Sequence, residues 1–297
     1  MMKNKKDSMA IRRKIDYLII SMILLALTFF FIIYDTEKII LQPDDVTIVS
    51  SYYRIKSKHK PVEYLDWIHN IVKINKPIVF FSNKKFMPHL KRIRPKEFYN
   101  KTVFNIVEIE DFYSYKNFIK EFTDSWKIDF EKSYHTIPLY LVWAEKCNFL
   151  KKVIEENYFN STCFYWIDAG YFREKNEMYK YKENWPSTKK CYEDKRLLLG
   201  QVRNFTDFAK QKIINFDFDS HINLQKDINV AGNIFGGHSK NIIKFVKLYY
   251  DSLKLFIKKG IFIGKDQNIF TYIAFSYPEI VKLVYCKTFM VLKDYLL

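Results

Sequence analysis

Two kinds of apolar run alternate along this chain: short β-branched stretches, and longer stretches with helical spacing. The run VTIVSSYY (46–53) predicts a buried strand, and EYLDWIHNIVKI (63–74) puts Tyr64, Leu65, Ile68, Ile71 and Val72 on one helical face. Pro77 stops that helix, and PIVFFSN (77–83) predicts a second strand. A third strand is expected over 102–109, a helix over 113–122 and one long helix over 137–154. Phe164 to Ile167 form an unbroken apolar run, the signature of a central strand buried on both faces. Residues 174–228 show many charges and no clear period. After them come a strand interrupted by small residues (228–237), a helix over 241–258, and a helix opening at Lys265 after Gly260 and Gly264. This alternation predicts an α/β fold with a mainly parallel sheet flanked by helices.

A different pattern precedes the first strand. Tyr17 to Tyr34 carry no charge between Asp16 and Asp35, and at 1.5 Å per residue they reach about 27 Å, enough to cross a bilayer core. Lys3, Lys5, Lys6, Arg12, Arg13 and Lys14 stand before this segment, so the positive-inside rule keeps the amino terminus in the cytoplasm. A cleaved signal peptide is the rival reading, but its apolar region is shorter and ends on small residues, whereas Tyr34, Asp35 and Thr36 follow here. The expected organisation is a cytoplasmic tail (1–16), a transmembrane anchor (17–34), a short stem (35–45) and a folded domain (46–297) of a single-pass type II membrane protein. Asn100, Asn160 and Asn204 head N-x-[ST] sequons and tilt the location toward the lumen of the Golgi or endoplasmic reticulum, with a bacterial inner membrane as the alternative.

The net charge of +16 raises nucleic acid as a partner, but the basic residues are scattered, no nucleic-acid-binding motif is present, and the anchor separates the domain from nucleic acid. Anionic substrates or lipid headgroups fit better, beside the plain alternative of a Lys-rich solvated surface. Cys147, Cys163, Cys191 and Cys286 lack zinc-ligand spacing, and disulfides are permitted outside the cytosol. Glu145 and Lys146 read as a solvated helix face, and Asp217 and Asp219, alternating with Phe216 and Phe218, as solvated too.

Candidate chemistry centres on FYWIDAGYFR (164–173). A strand that stops on Asp168 and a small turn sets a carboxylate at the sheet's carboxyl edge, where α/β proteins hold ligands, although Asp-x-Gly equally suits a tight turn. An Asn-x-Ala-Gly strand (Asn229 to Gly232) and an Asp266-Gln267 pair follow in order. That order resembles nucleotide-sugar glycosyltransferases of the GT-A fold. More closely, TIVSSYYRIKSKH, WAEKCNFLKKVIEENYFNS, WIDAGYFR and GKDQNIF resemble the HtrL/YibB family of glycosyltransferase-like proteins, over about Val46 to Val284.

The resemblance implies a GT-A-like domain that moves a sugar from a nucleotide-sugar donor to a glycan, glycolipid or glycoprotein. It further implies a divalent metal (Mn2+ or Mg2+) on Asp168, and Asp266 and Gln267 as catalytic groups. The donor would be bound by Ser50, Tyr52, Arg54, Arg173, Asn229, Gly232 and Lys265, with Gly236 and Gly237 admitting a close approach. The sequence departs from the GT-A pattern at the second acid, since position 170 is Gly. An inactive relative that binds glycan or a partner protein is the alternative.

Overall fold

A computed structural model describes residues 21–22, 45–174, 177, 181, 185–218, 230–286, 288 and 292–297. The chain divides into two units, 1–42 and 43–297. Tail, anchor and stem lie outside the described residues apart from the helical Ser21 and Met22, and Asp45 at the stem's end. Among the described residues no helix is long and apolar enough to cross a membrane.

The larger unit is built on seven strands: β1 (Val46–Ser51), β2 (Ile78–Ser82), β3 (Thr102–Ile106), β4 (Cys163–Ile167), β5 (Leu197–Gln201), β6 (Val230–His238) and β7 (Val281–Tyr285). They form one sheet in the order β3-β2-β1-β4-β6-β5-β7. Only β6 runs against the others, pairing antiparallel with β4 and β5, so the sheet is mixed and mainly parallel, with β4 at its centre. Gly236 makes the reversed pairing possible, because a Cβ there would stand 2.1 Å from the Phe164 carbonyl oxygen.

Helices cover both faces. On one lie α3 (Tyr113–Lys127), α4 (Ile137–Glu156), α7 (Ser239–Lys258) and α8 (Asp266–Ser276); on the other lie α1 (Pro61–Ile71), α2 (Met87–Ile93) and the short α5 (Thr188–Glu193). A further helix, α6 (Asp207–Ile214), adds Ile213 to the first layer. Alternation along β1 sends Val49 to one core and Ile48 to the other. Each such side chain, fully buried, contributes roughly 1.5–3 kcal/mol relative to exposure.

Two elements show why helices begin where they do. Thr136 caps α4 by accepting the Leu139 amide at 3.4 Å. The α3 N-cap, Phe112, offers no side-chain acceptor, and its role falls to Glu145 of α4, which accepts the Tyr113 amide at 3.0 Å and the Ser114 amide at 2.9 Å. Glu145 is therefore buried, not the solvated residue its sequence context suggests. A disulfide joins Cys163 of β4 to Cys191 of α5.

Candidate active site

The chain leaves β1 toward β2 and β3 on one side and later returns to place β4 on the other side. The carboxyl ends of β1 and β4 thus flank the point where strand order reverses, the place at which open α/β sheets bind ligands. A cleft lies there. Its walls include Tyr52 and Ile55 after β1, Tyr64 of α1, Trp143 of α4, and Asp168 and Arg173 after β4.

The cleft floor holds a buried cation. Lys146 Nζ lies 2.9 Å from the Gly232 carbonyl oxygen, 3.1 Å from Asp168 Oδ1 and 3.0 Å from Asp266 Oδ2. The contact with Asp266 Oδ2 is an ion pair without hydrogen-bond alignment. Burial works against the ammonium, but the two carboxylates prevail and hold the Lys146 pKa above its ordinary value. Burial raises the Asp266 pKa, and Lys146 opposes that rise. Gly232 gives the Asp266 carboxylate its room, because a Cβ would stand 2.9 Å from Asp266 Oδ2.

Asp168 differs from Asp266 in access: its side chain is 33% exposed against 5%. Its Oδ1 accepts the Trp166 indole N–H at 2.6 Å, and its backbone carbonyl accepts the Tyr171 amide at 2.9 Å. The residue closes a turn and also presents a carboxylate to the cleft. The Arg173 guanidinium stacks 4.6 Å from the Trp67 ring centre and donates to the Gly170 carbonyl at 3.2 Å, rather than pairing with Asp168.

The family profile described as "Bacterial protein of unknown function (HtrL_YibB)" matches residues 44–295. The chain belongs to the HtrL_YibB family. No curated protein matches it. Among solved structures it is similar to core-mannan synthase A from Aspergillus fumigatus in its Mn/GDP form, at 14% identity and a TM-score of 0.46, with 80% of this chain and 72% of that chain covered.

The four HtrL_YibB-like segments converge here: 47–59 supplies Tyr52 and Ile55, 143–161 supplies Trp143 and Lys146, 166–173 supplies Asp168 and Arg173, and 264–270 supplies Asp266 beneath them. Lys146 is the residue that sequence reasoning missed, because its apolar neighbours mark α4 as amphipathic without saying that a lysine points inward. Ser50 and Lys265 depart from the donor contacts expected of them. Ser50 is buried within the sheet and is not among the residues lining the cleft. Lys265 is buried and paired with Glu131. Arg54 is exposed beside a neighbouring hollow. Gly236 serves strand pairing. Gln267 follows Asp266 in the first turn of α8, where its carbonyl accepts the Thr271 hydroxyl at 2.7 Å. Asn229 and Asp219 lie outside the described residues, and Asp217 is exposed as expected.

Among the described residues no three or more His, Cys, Asp or Glu side chains gather as a metal-ligand set. The Lys146 ammonium occupies the space among the Asp168, Asp266 and Gly232 oxygens, so this donor set does not fit a divalent ion held by protein alone.

Proposed function

We propose that this protein is a membrane-anchored, nucleotide-sugar-dependent glycosyltransferase of GT-A-like fold, transferring to a glycan, glycolipid or glycoprotein. The observation that carries this reading is the cleft at the strand-order reversal, with a carboxylate, aromatic rings and a guanidinium on its walls. Tyr64 provides a face for a nucleobase and Arg173 a fork for phosphate, while Tyr52 is buried with its ring against Tyr64 and Phe86. In transfer, an acceptor hydroxyl oxygen bonds to the anomeric carbon. The bond from that carbon to the diphosphate breaks with its electron pair on the diphosphate, and Asp168 takes the hydroxyl proton. Asp266, shielded beneath Lys146, positions the floor instead of touching substrate.

The anchor is assigned to residues 17–34, with the folded domain outside the cytoplasm, in the Golgi or endoplasmic reticulum lumen or beyond a bacterial inner membrane. The buried Cys163–Cys191 disulfide supports an oxidising compartment.

The test is thermal unfolding of the full-length protein with UDP, GDP, dTDP or ADP, each with Mn2+ and with EDTA. A ligand that binds only the folded state at a hundred times its Kd stabilises by about 2.7 kcal/mol. One nucleotide is expected to raise the melting point, and less so in Asp168→Asn if an ion enters with the nucleotide. No shift with any of them removes the donor assignment. A shift without transfer to any acceptor favours the inactive binding protein, a reading that Gly170 in place of a second acid also supports.

A further inference from the structure

Residues 54–60, RIKSKHK, lead from the end of β1 to the start of α1 along the cleft rim. Their exposure alternates. Arg54, Lys56, Lys58 and Lys60 are exposed, while Ile55, Ser57 and His59 are half-buried. The inward set belongs to the cleft: Ile55 and Ser57 line it, Ser57 Oγ reaches the Tyr64 hydroxyl at 3.5 Å, and the His59 ring stands edge-on to Trp67 at 4.9 Å. The Lys56 carbonyl accepts the Thr136 hydroxyl at 3.2 Å, which ties the loop to the start of α4.

The outward cations lack close ion-pair partners, and Lys60 has a carboxylate, Glu63, within Coulombic reach. Among the described residues none of these four is in an ion pair, whereas the exposed Lys116, Lys120, Lys127 and Lys247 elsewhere each sit on a carboxylate. The nearest acid in sequence, Glu63, is engaged by the Lys60 amide at 2.7 Å and by His59 at 3.5 Å. Four like charges within seven residues repel one another, and a multiply charged anion relieves that repulsion.

We propose that this loop binds the phosphate groups of the acceptor, so that the protein acts on a phosphate-bearing acceptor. The acceptor's charged part lies along Arg54, Lys56, Lys58 and Lys60, and its free hydroxyl reaches past Ile55 and Ser57 toward Asp168. Phosphate suits this rail because a phosphate monoester gathers close to two negative charges on one group, which lysines hold as point charges, whereas a carboxylate carries only one. The proposal rests on the transferase reading for its consequence, though not for its binding chemistry.

The experiment uses the full-length protein and three soluble probes: inositol hexakisphosphate, a short-chain phosphatidic acid, and an oligogalacturonate that carries carboxylates only. The wild type is expected to bind a phosphate probe with salt-sensitive affinity. K56Q/K58Q/K60Q should weaken that binding at least about tenfold, while K116Q/K120Q/K127Q leaves it unchanged. Preference for the lipid or for the free polyphosphate identifies the source of the phosphate, and either supports the proposal. It is overturned if the wild type binds neither phosphate probe, if the rim variant binds as the wild type does, if the control variant loses as much, or if the oligogalacturonate binds equally well. The nucleotide-induced thermal shift, measured on the same proteins, keeps the two readings apart: phosphate-probe binding with no nucleotide shift supports the rail and removes only the donor assignment.

Discussion

The ammonium of Lys146 lies 3.0 Å from the carboxylate of Asp266, and both residues are buried at the floor of the cleft. Asp266 thereby lies beneath the cleft, while Asp168, on the solvent side of the same ammonium, is the acid that lines it. Burial alone would disfavour each charge, and only their mutual contact keeps them together.

Removing the cation should therefore be costly. Lys146→Met leaves Asp266 buried without a counter-charge, and breaking a buried pair costs about 3–5 kcal/mol. Urea unfolding is expected to show that loss, with the double variant K146M/D266N more stable than K146M alone. A single variant as stable as the wild type would show that Asp266 is not held as an anion.

Asp168→Asn should keep the fold, since Asn still offers an oxygen to the Trp166 indole N–H. Turnover is expected to fall at least about a hundredfold through loss of a charged acceptor in the cleft. Unchanged turnover with an unchanged melting point would return Asp168 to the role of a turn residue.

Gly232→Ala tests the packing beneath the site. The added Cβ would meet Asp266 Oδ2 at 2.9 Å and its other carboxyl atoms at 3.2 Å, in a buried strand, so the carboxylate must shift. Overpacking of this kind costs about 1–3 kcal/mol. Shortening the opposing side chain, in the D266S background, should reduce the cost, and an equal cost in both backgrounds would place the conflict elsewhere.

Asp194 predicts a pH dependence remote from the cleft. Arg196 at 3.0 Å and Lys282 of β7 at 2.9 Å hold its carboxyl well below the usual carboxylate range. An acid whose pKa is lowered by folding stabilises the fold above its unfolded pKa, and that contribution is lost as pH falls through the folded value. Asp194→Asn is therefore expected to lower the urea midpoint at neutral pH, and the difference should shrink as pH falls below about 4, the unfolded carboxylate value. A pH-independent difference would mean that the ion pairs are not its source.

The strands and long helices are legible in the sequence because burial imposes a local period, so β1, β2, β4, α4 and α7 emerge within a few residues of their observed ends. Strands β5 and β7 escape this reading. LLLGQ and VKLVY are short runs beside charges or a Pro-Glu turn, and they become strands by pairing with each other along a parallel register. Asp168 is legible too, as a carboxylate at the end of an unbroken apolar strand.

The α/β alternation, the strand-end acid and the segments that carry the family likeness can be read along the chain. Which charged residues turn inward depends on contacts between distant parts of it. Lys146 reaches the Gly232 carbonyl across 86 residues, and Glu145 caps a helix 31 residues before it. A lysine or glutamate on an amphipathic helix looks alike whether it meets water or a buried partner, because the free energy that permits its burial comes from charges and amides that the chain brings near only on folding.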